Sequence, residues 1–442
     1  MADTRGRPGR ALAEAVRLRF RALGRAGTPE ALAALLDIAS RRAGARPAPP
    51  GGDPAERPEE REAREGAYAG RLLADGAETL AVWDTYAEVR PLERGFFADP
   101  RAFEEIPELV REWSAFAEER RLTALVLGCG RGWGAVSLAA SLAAAGLPER
   151  NWEIDITGLD LSPRALALAA GLRFDRSALD GFPYPQGRWF RAEAGGVRRF
   201  RDGEGASLSF GFGDPYLAEG PDARRPPDDP EGAGPGAGAG PPPDAGSRGG
   251  RDTPRDCRLV PPGGLENLLP RFRGRVDVLL ARFLSREAPD ELAGRLPEAV
   301  AELLREGGLA FTGPGEIWAP GPGLTLEARN GVFYFRKSRG RRKANTFHTP
   351  RRGRAARGPL PAPAPAHAPG RYEGLAAASR QALPEGPEKA RRLALDAVTL
   401  SCEDMLVWPP AYEALAEAEE ALGRGGFARQ IREAMGIYAR GG

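Results

Sequence analysis

Histidine is almost missing from this chain. The two residues present, His348 and His367, sit among Pro, Arg and Ala, which leaves histidine-based catalysis or metal ligation almost nothing to work with. Cysteine is nearly as scarce. Cys129, Cys257 and Cys402 lie far apart, match no zinc or redox spacing, and by their odd number point to reduced thiols. No run of about eighteen apolar residues occurs, and the N-terminal MADTRGRPGRALAEAVRLRFRALG is charged throughout, where a signal peptide carries an apolar core. The expectation is a cytoplasmic protein with no membrane insertion. An excess of one charge is absent too: 63 Lys and Arg face 61 Asp and Glu, so no global field favours nucleic acid or an acidic membrane.

What the chain does have is apolar residues, at 42%, together with 58 Gly and 42 Pro. That supports a sizeable core and also approaches the composition of low-complexity sequence. Residues 1–44 read as N-terminal helices, with Leu12, Val16 and Phe20 on one face and Leu32, Leu35, Leu36 and Ala39 on the next, Ile38 at its edge. Residues 45–66 are a Pro/Gly- and charge-rich connector. Helical spacing resumes over 67–120, from Tyr68 to Tyr86 and from Phe103 to Arg120, with Trp113 and Phe116 facing inward.

At Leu122 the pattern becomes α/β. LTALVLG predicts a strand, GCGRGWG a turn, Ala135 to Ala145 a helix, and residues 152 to 160 a second strand. Ser162 is placed to cap the next helix, with Pro163 at its first position. This βαβ order predicts a doubly wound parallel sheet across 121–337. Residues 188 to 217 read as short strands with Gly-containing turns, and 218–262 as a low-complexity insertion. Residues 276 to 284 return as a buried strand, 289 to 308 as an amphipathic helix closed by Gly307, and LAFTG as the strand after it. Asn330-Gly331 then marks a hairpin. Residues 338–371 are a basic, Pro-rich linker, and 372–442 are helical again.

Chemistry centres on the glycine loop. Gly128, Gly130, Gly132 and Gly134 alternate ahead of a helix, where a backbone free of side chains and a helix N-terminus can receive a polar ligand. Dinucleotide folds place an acid about twenty residues beyond the loop. Here Asp160 closes the next strand roughly thirty residues on, which leans toward S-adenosylmethionine with its ribose hydroxyls on Asp160 and away from a nucleotide oxidoreductase. A turn that merely packs helix on strand, with Asp160 as a cap, is the other reading of the same residues.

Several stretches resemble the chemotaxis-type protein-glutamate methyltransferases, the CheR family, over roughly residues 10 to 337. Arg94-Gly-Phe-Phe-Ala-Asp-Pro-Arg-Ala-Phe103 resembles the family's T-x-F-F-R-D-P-x-x-F, and Gly128-Cys-Gly-Arg-Gly-Trp-Gly-Ala-Val-Ser-Leu-Ala139 its G-C-S-T-G-E-E-x-Y-S-L-A. Gly158-Leu-Asp-Leu-Ser162 with Ala165-Leu166 is similar to a strand ending T-D-I-S followed by A-L. Val276 to Leu284 resembles F-D-x-I-x-C-R-N-V, Glu306 to Glu316 resembles P-G-G-x-L-F-x-G-x-x-E, and residues 332 to 337 carry V-F-Y-x-R-K.

The resemblance implies a class I SAM-methyltransferase fold, a Rossmann-like α/β doubly wound sheet. With it come an N-terminal helical domain, a small β-subdomain at 188–210 that docks a receptor peptide in some members, and a helical C-terminal tail. It implies S-adenosyl-L-methionine as cofactor and a carboxylate of a receptor-like or signalling protein as substrate. Its cofactor positions fall on Gly128, Cys129, Gly130, Gly132, Trp133, Asp160, Leu161, Asp214, Pro215 and Phe283, and its catalytic one on Arg282, while Arg94 is a catalytic candidate by its nearness in sequence to Ala98; no metal is implied.

The chain also departs from the family. The arginine after the paired phenylalanines is Ala98, whose space Arg94 or Arg101 is placed in sequence to fill, and the threonine four positions earlier is Arg94. The acidic positions after the loop are Trp133 and Gly134; Phe283, Glu287 and Asp214 replace asparagine, tyrosine and asparagine. Trp133 reads either as a ring on the adenine or in the vacated acidic pocket, or as a cap of the helix against the sheet. An impaired pseudoenzyme, binding SAM and acting as a scaffold, is therefore the alternative to an active methyltransferase. In the tail, Tyr412, Leu415, Ala416, Leu422, Gly423 and Ala428 loosely resemble one tetratricopeptide unit able to hold a protein partner. A helical pair that docks on the enzyme or dimerises is the simpler reading.

Overall fold

Buried on both faces, the apolar runs that begin at residues 121 and 276 become the centre of a sheet, as parallel strands covered by helices must. In this computed structural model the described residues are 10–22, 29–44, 58–89, 95–113, 119–201, 206–212, 269–282, 284, 288, 294–338, 347–348 and 370–441. The strands are β1 (Arg121–Leu127), β2 (Glu153–Asp160), β3 (Arg173–Asp175), β4 (Phe190–Ala192), β5 (Val197–Phe200), β6 (Ser207–Phe212), β7 (Val276–Ala281), β8 (Leu304–Thr312), β9 (Leu324–Arg329), β10 (Val332–Lys337) and β11 (Phe347–His348).

Eight of them form one sheet in the order β11-β9-β10-β8-β7-β1-β2-β6, and β3-β5-β4 form a second, small one. From β6 through β8 the pairing is parallel. β10 then enters antiparallel between β8 and β9. The fold is thus the Rossmann-like α/β sheet expected of a SAM methyltransferase, with helices before and after it. Asp277 interrupts the apolar β7: its Oδ2 accepts the Thr123 N–H at 2.7 Å and its Oδ1 pairs with Arg305. That aspartate ties neighbouring strands together near their starts, at the end of the sheet opposite the glycine loop.

The helices are α1 (Arg10–Ala22), α2 (Pro29–Arg42), α3 (Pro58–Ala74), α4 (Gly76–Val89), α5 (Pro100–Glu112), α6 (Trp133–Ala144), α7 (Pro163–Gly171), the single turn α8 (Gln186–Trp189), α9 (Leu296–Leu303), α10 (Gly370–Ala382), α11 (Pro387–Glu403), α12 (Pro409–Ala421) and α13 (Gly425–Gly441). Among the described residues no helix is long and apolar enough to cross a membrane. One face of the sheet, with Val126, Ile156, Leu280 and Phe311, packs under α1–α7. The other face, with Leu127, Leu279, Leu326, Phe333 and Phe335, packs under α9 and under α11–α13. The C-terminal helices therefore form a layer of the fold. Phe333 meets Tyr412 and Tyr438 edge-on, at ring centroid distances of 5.8 and 5.6 Å.

Several elements start or stop where sequence pattern did not place them. α3 begins at Pro58, inside the expected connector, with Glu59 and Glu60 in its first turn, where they suit the helix dipole. Its Glu65 is buried and accepts the Ser40 hydroxyl at 2.9 Å. The helix expected from Phe103 instead begins at Pro100, capped by Asp99, and stops when Trp113 turns extended; Phe116 lies outside the described residues. The helix expected to end at Gly307 stops at Leu303, and Leu304 to Gly308 belong to β8. Gly307, at φ +81°, lies in the irregularity where Val276 opposes Leu304 but Val278 opposes Leu309. The small sheet recruits residues 173–175, while Ser207–Phe212 leaves it for the edge of the main sheet beside β2. Within the expected linker, Phe347–His348 adds to the β9 edge. The 218–262 insertion lies outside the described residues.

Candidate functional site

The glycine loop joins β1 to α6 at the C-terminal edge of the sheet, where open α/β sheets bind ligands. Three glycines have positive φ: Gly128 at +65°, Gly130 at +52° and Gly132 at +86°. They serve different ends. A Cβ on Gly132 would stand 3.2 Å from the Ala169 Cβ and the Phe210 ring, and one on Gly128 would stand 3.0 Å from Leu284, so both are glycine for close packing. A Cβ on Gly130 would meet nothing within 4 Å. Gly134 is buried inside α6. The packing reading thus holds for two of the loop glycines, and Gly130 alone faces open space.

The loop is fastened to β2. The Cys129 N–H donates to the Leu159 carbonyl at 3.0 Å and the Gly132 N–H to the Cys129 carbonyl at 2.8 Å. Asp160 Oδ2 accepts the Gly130 N–H and its Oδ1 the Ser162 N–H, each at 2.8 Å. One carboxylate thereby sets both the glycine loop and the turn into α7. Ser162 caps α7 as expected, its hydroxyl accepting the Ala165 N–H at 3.0 Å. The Cys129 and Leu161 side chains are buried in the core, with the Cys129 thiol against the Gly130 carbonyl at 3.8 Å.

Trp133 opens α6 and packs partly buried against the core, with the Arg131 guanidinium 6.0 Å from its ring. That fits the packing reading. Its indole Nε1 is buried and has no hydrogen-bond partner among the described residues, and Gly132 offers α6 no side-chain cap. An open side at Gly130, a fixed carboxylate and an indole N–H lacking an acceptor together suit a polar ligand with hydroxyl and carboxylate groups.

The stretch Gly95 to Asp99 wedges between α6 and the small sheet. The Phe97 N–H donates to Ser137 Oγ at 2.9 Å, while Phe96 stacks edge-on with Phe174, Phe182 and Phe190. Arg101 does not fill the space at Ala98. Its guanidinium donates to the Glu403 carbonyl at 2.7 and 3.2 Å and pairs with Glu104 at 2.7 Å. Arg282 follows β7, is buried, and lies over the Phe103 ring at 5.0 Å. Burial raises the carboxyl pKa of neighbouring Asp99, and the Arg282 charge opposes that rise. A cavity of about 20 Å³, on the scale of one water, lies between Asp99, Thr312, Glu316, Cys402 and Tyr412.

Structure thus brings Gly128, Gly130, Gly132, Trp133 and Asp160 together and sets Arg282 on the α5 side of the same strand ends. Arg94, Asp214, Pro215 and Phe283 lie outside the described residues. Among the described residues no group of three or more His, Cys, Asp or Glu is placed to hold a metal. Sequence reasoning missed Asp84, which reaches this site from α4, and Ser137, which enters there only as one letter of a motif. Asp84 had no local signal, because its partners lie about eighty positions away.

Gly130 offers a direct test. Alanine in left-handed backbone costs about 1–2 kcal/mol and meets no protein atom there. Gly130→Ala is expected to stay folded and lose S-adenosylhomocysteine affinity about tenfold, or 1.4 kcal/mol, by calorimetry. Unchanged affinity would place the ligand elsewhere.

Residues 93–211 match the family model described as CheR methyltransferase, SAM binding domain. No curated protein matches the chain. The matched segment contains the glycine loop, Asp160, the paired phenylalanines and the small sheet, and the open backbone beside a fixed carboxylate fits S-adenosylmethionine. The chain thus carries a CheR-like SAM-binding methyltransferase domain, matched over residues 93–211.

Proposed function

We propose that the protein transfers a methyl group from S-adenosylmethionine to a carboxylate on an acidic protein segment. S-adenosylmethionine supplies an electrophilic methyl on a sulfonium. A carboxylate acceptor is ionised at neutral pH, so the chain needs no general base and must chiefly align acceptor and methyl. In this reading Gly130 admits the cofactor, Asp160 accepts its ribose hydroxyls, and the α6 N-terminus with Trp133 meets its polar end. The resemblance assigns Leu161, Asp214, Pro215 and Phe283 to cofactor binding as well. Arg282 holds α5 and the Phe96–Asp99 stretch against the end of β7, and Arg94 stays a catalytic candidate by its nearness in sequence to Ala98.

The observation that carries the acceptor class lies on the small sheet. Arg173, Arg199 and Arg191 stand opposite one another across its three strands. The Phe200 N–H donates to the Leu172 carbonyl at 2.9 Å, which makes Arg173–Arg199 the non-hydrogen-bonded pair, where side chains approach most closely. All three are exposed. Arg173 pairs with Glu193 at 2.9 Å, but Arg191 and Arg199 make no ion pair among the described residues. Like charges directly opposite destabilise a sheet, and an acidic partner removes that cost. The rings of Phe174, Phe190 and Phe200 are buried on the opposite side, so among the described residues the arginine face presents no aromatic for base stacking and no ring for a membrane interface. It suits an acidic polypeptide.

Methyl label from S-adenosylmethionine should appear on an acidic acceptor and be released as methanol by mild base, the signature of a carboxyl ester. Base-stable label would reassign the acceptor atom, and S-adenosylhomocysteine binding without any transfer would favour the scaffold. Changing Arg173, Arg191 and Arg199 to Gln should raise KM for the acceptor about tenfold at low salt, since exposed pairs contribute roughly 0.2–1 kcal/mol each. Cofactor affinity should stay unchanged, and the effect should fade as salt screens the charges. An unaltered KM would remove the arginine row from acceptor binding.

A further inference from the structure

Asp84 sits on α4, in the N-terminal helices, yet its carboxylate reaches the turn behind the cofactor loop. Its Oδ1 accepts the Ser162 hydroxyl and also the Arg164 N–H, the latter at 3.3 Å. The same Ser162 gives its backbone N–H to Asp160 Oδ1 at 2.8 Å, and Asp160 Oδ2 holds the Gly130 N–H at 2.8 Å. Ser162 is therefore gripped from two sides, by Asp160 through its amide and by Asp84 through its hydroxyl. The hydroxyl also accepts the Ala165 N–H at 3.0 Å, so its donor and acceptor functions are both engaged.

We infer that Asp84 is a positioning residue for the cofactor site, coupling the placement of the N-terminal helices to the orientation of Asp160. The inference rests on Asp160 lying at the cofactor. The links run Asp84, Ser162, Asp160, Gly130, each one a hydrogen bond to the next. Movement of α4 releases the Ser162 side chain and the first turn of α7, which loosens the turn whose amide sets the Asp160 carboxylate. Coupling of this kind is reciprocal: if α4 sharpens the site, a ligand in the site must steady α4.

Two measurements on the full chain test this, with S-adenosylhomocysteine as probe: calorimetric titration, and amide hydrogen exchange with and without it. In the unmodified protein the probe should slow exchange in α4 as well as in residues 128–134 and 160–165. Asp84→Ala should bind it about tenfold more weakly and lose the effect on α4. Asp84→Asn, whose carbonyl oxygen still accepts both donors, should remain within about threefold of the unmodified protein. Ser162→Ala cuts the same link from the other side, so combining it with Asp84→Ala should cost little more than either alone. A merely structural Asp84 would speed α4 exchange equally with and without probe. That result, or unchanged affinity in Asp84→Ala, overturns the proposal; should Asp84→Ala not fold, a Ser162→Ala variant that binds the probe as tightly as the unmodified protein and still shows slowed exchange in α4 overturns it. No binding by the unmodified protein would instead overturn the cofactor reading, and this inference with it.

Discussion

A chain ending at residue 369 should fail to form a stable monomer. The reason lies in what the last four helices cover. Gly331, at φ +81°, is so close to them that a Cβ there would stand 2.9 Å from the Cys402 carbonyl, the Leu406 nitrogen and the Met405 carbonyl carbon. A Cβ on Gly315 would meet Leu395 at 2.5 Å and Leu415 at 3.0 Å. Phe333 lies against Tyr412 and Tyr438, and Arg101 donates twice to the Glu403 carbonyl. The layer is braced internally by Glu419, buried between Arg424 and Arg391 at 2.8 Å each. Each large apolar side chain returned to water costs about 1.5–3 kcal/mol, so uncovering even five or six exceeds much of the 5–15 kcal/mol that stabilises a typical domain. Expected results are aggregation on size exclusion and no cooperative thermal transition. A soluble truncated chain that melts cooperatively and binds S-adenosylhomocysteine would show that the layer is dispensable. Gly331→Val is the milder form: a β-branched residue at positive φ against backbone should cost several kcal/mol while leaving the glycine loop intact.

Whatever depends on neighbours in sequence could be read from it. The loop glycines, the Ser162 cap and the Asn330-Gly331 turn are local. That turn adopts φ +48° and +81°, the backbone such a pair favours between antiparallel strands. The CheR-like strings carried the fold for the same reason, since each is a short stretch around one strand end. Long-range partners were not legible. Ala/Leu spacing in α10–α13 announces helices with an apolar face, but nothing in it says that the face covers a sheet a hundred residues earlier. Leu304 to Gly308 continues a helical pattern until pairing with β7 draws it into a strand. Arg101 stands three positions from Ala98 in sequence, yet the Glu403 carbonyl claims its guanidinium. Asp84 looks like any polar residue on a helix until α4 is laid beside Ser162.

Asp160→Asn should lose S-adenosylhomocysteine affinity by about a hundredfold, or about 2.7 kcal/mol, with little change in melting temperature. Both carboxylate oxygens are in use, one by the Gly130 N–H and one by the Ser162 N–H. An amide can offer only one oxygen, so either orientation of the substituted side chain sets its NH2 against a backbone N–H. Leaving one buried donor unpaired costs about 1–3 kcal/mol, and under the proposed function the ribose hydroxyls lose a charged acceptor as well. Stability should hold because the loop keeps its other anchors, the Cys129 N–H on the Leu159 carbonyl and the Gly132 N–H on the Cys129 carbonyl. Asp160→Glu retains the charge but lengthens the side chain, and should fall between the amide variant and the unmodified protein. Calorimetric titration reads the affinity, and a thermal melt of the same samples separates it from unfolding. Binding by Asp160→Asn within about threefold of the unmodified protein would mean that the carboxylate only fastens the loop. Ligand recognition would then rest on the Gly130 backbone and the start of α6.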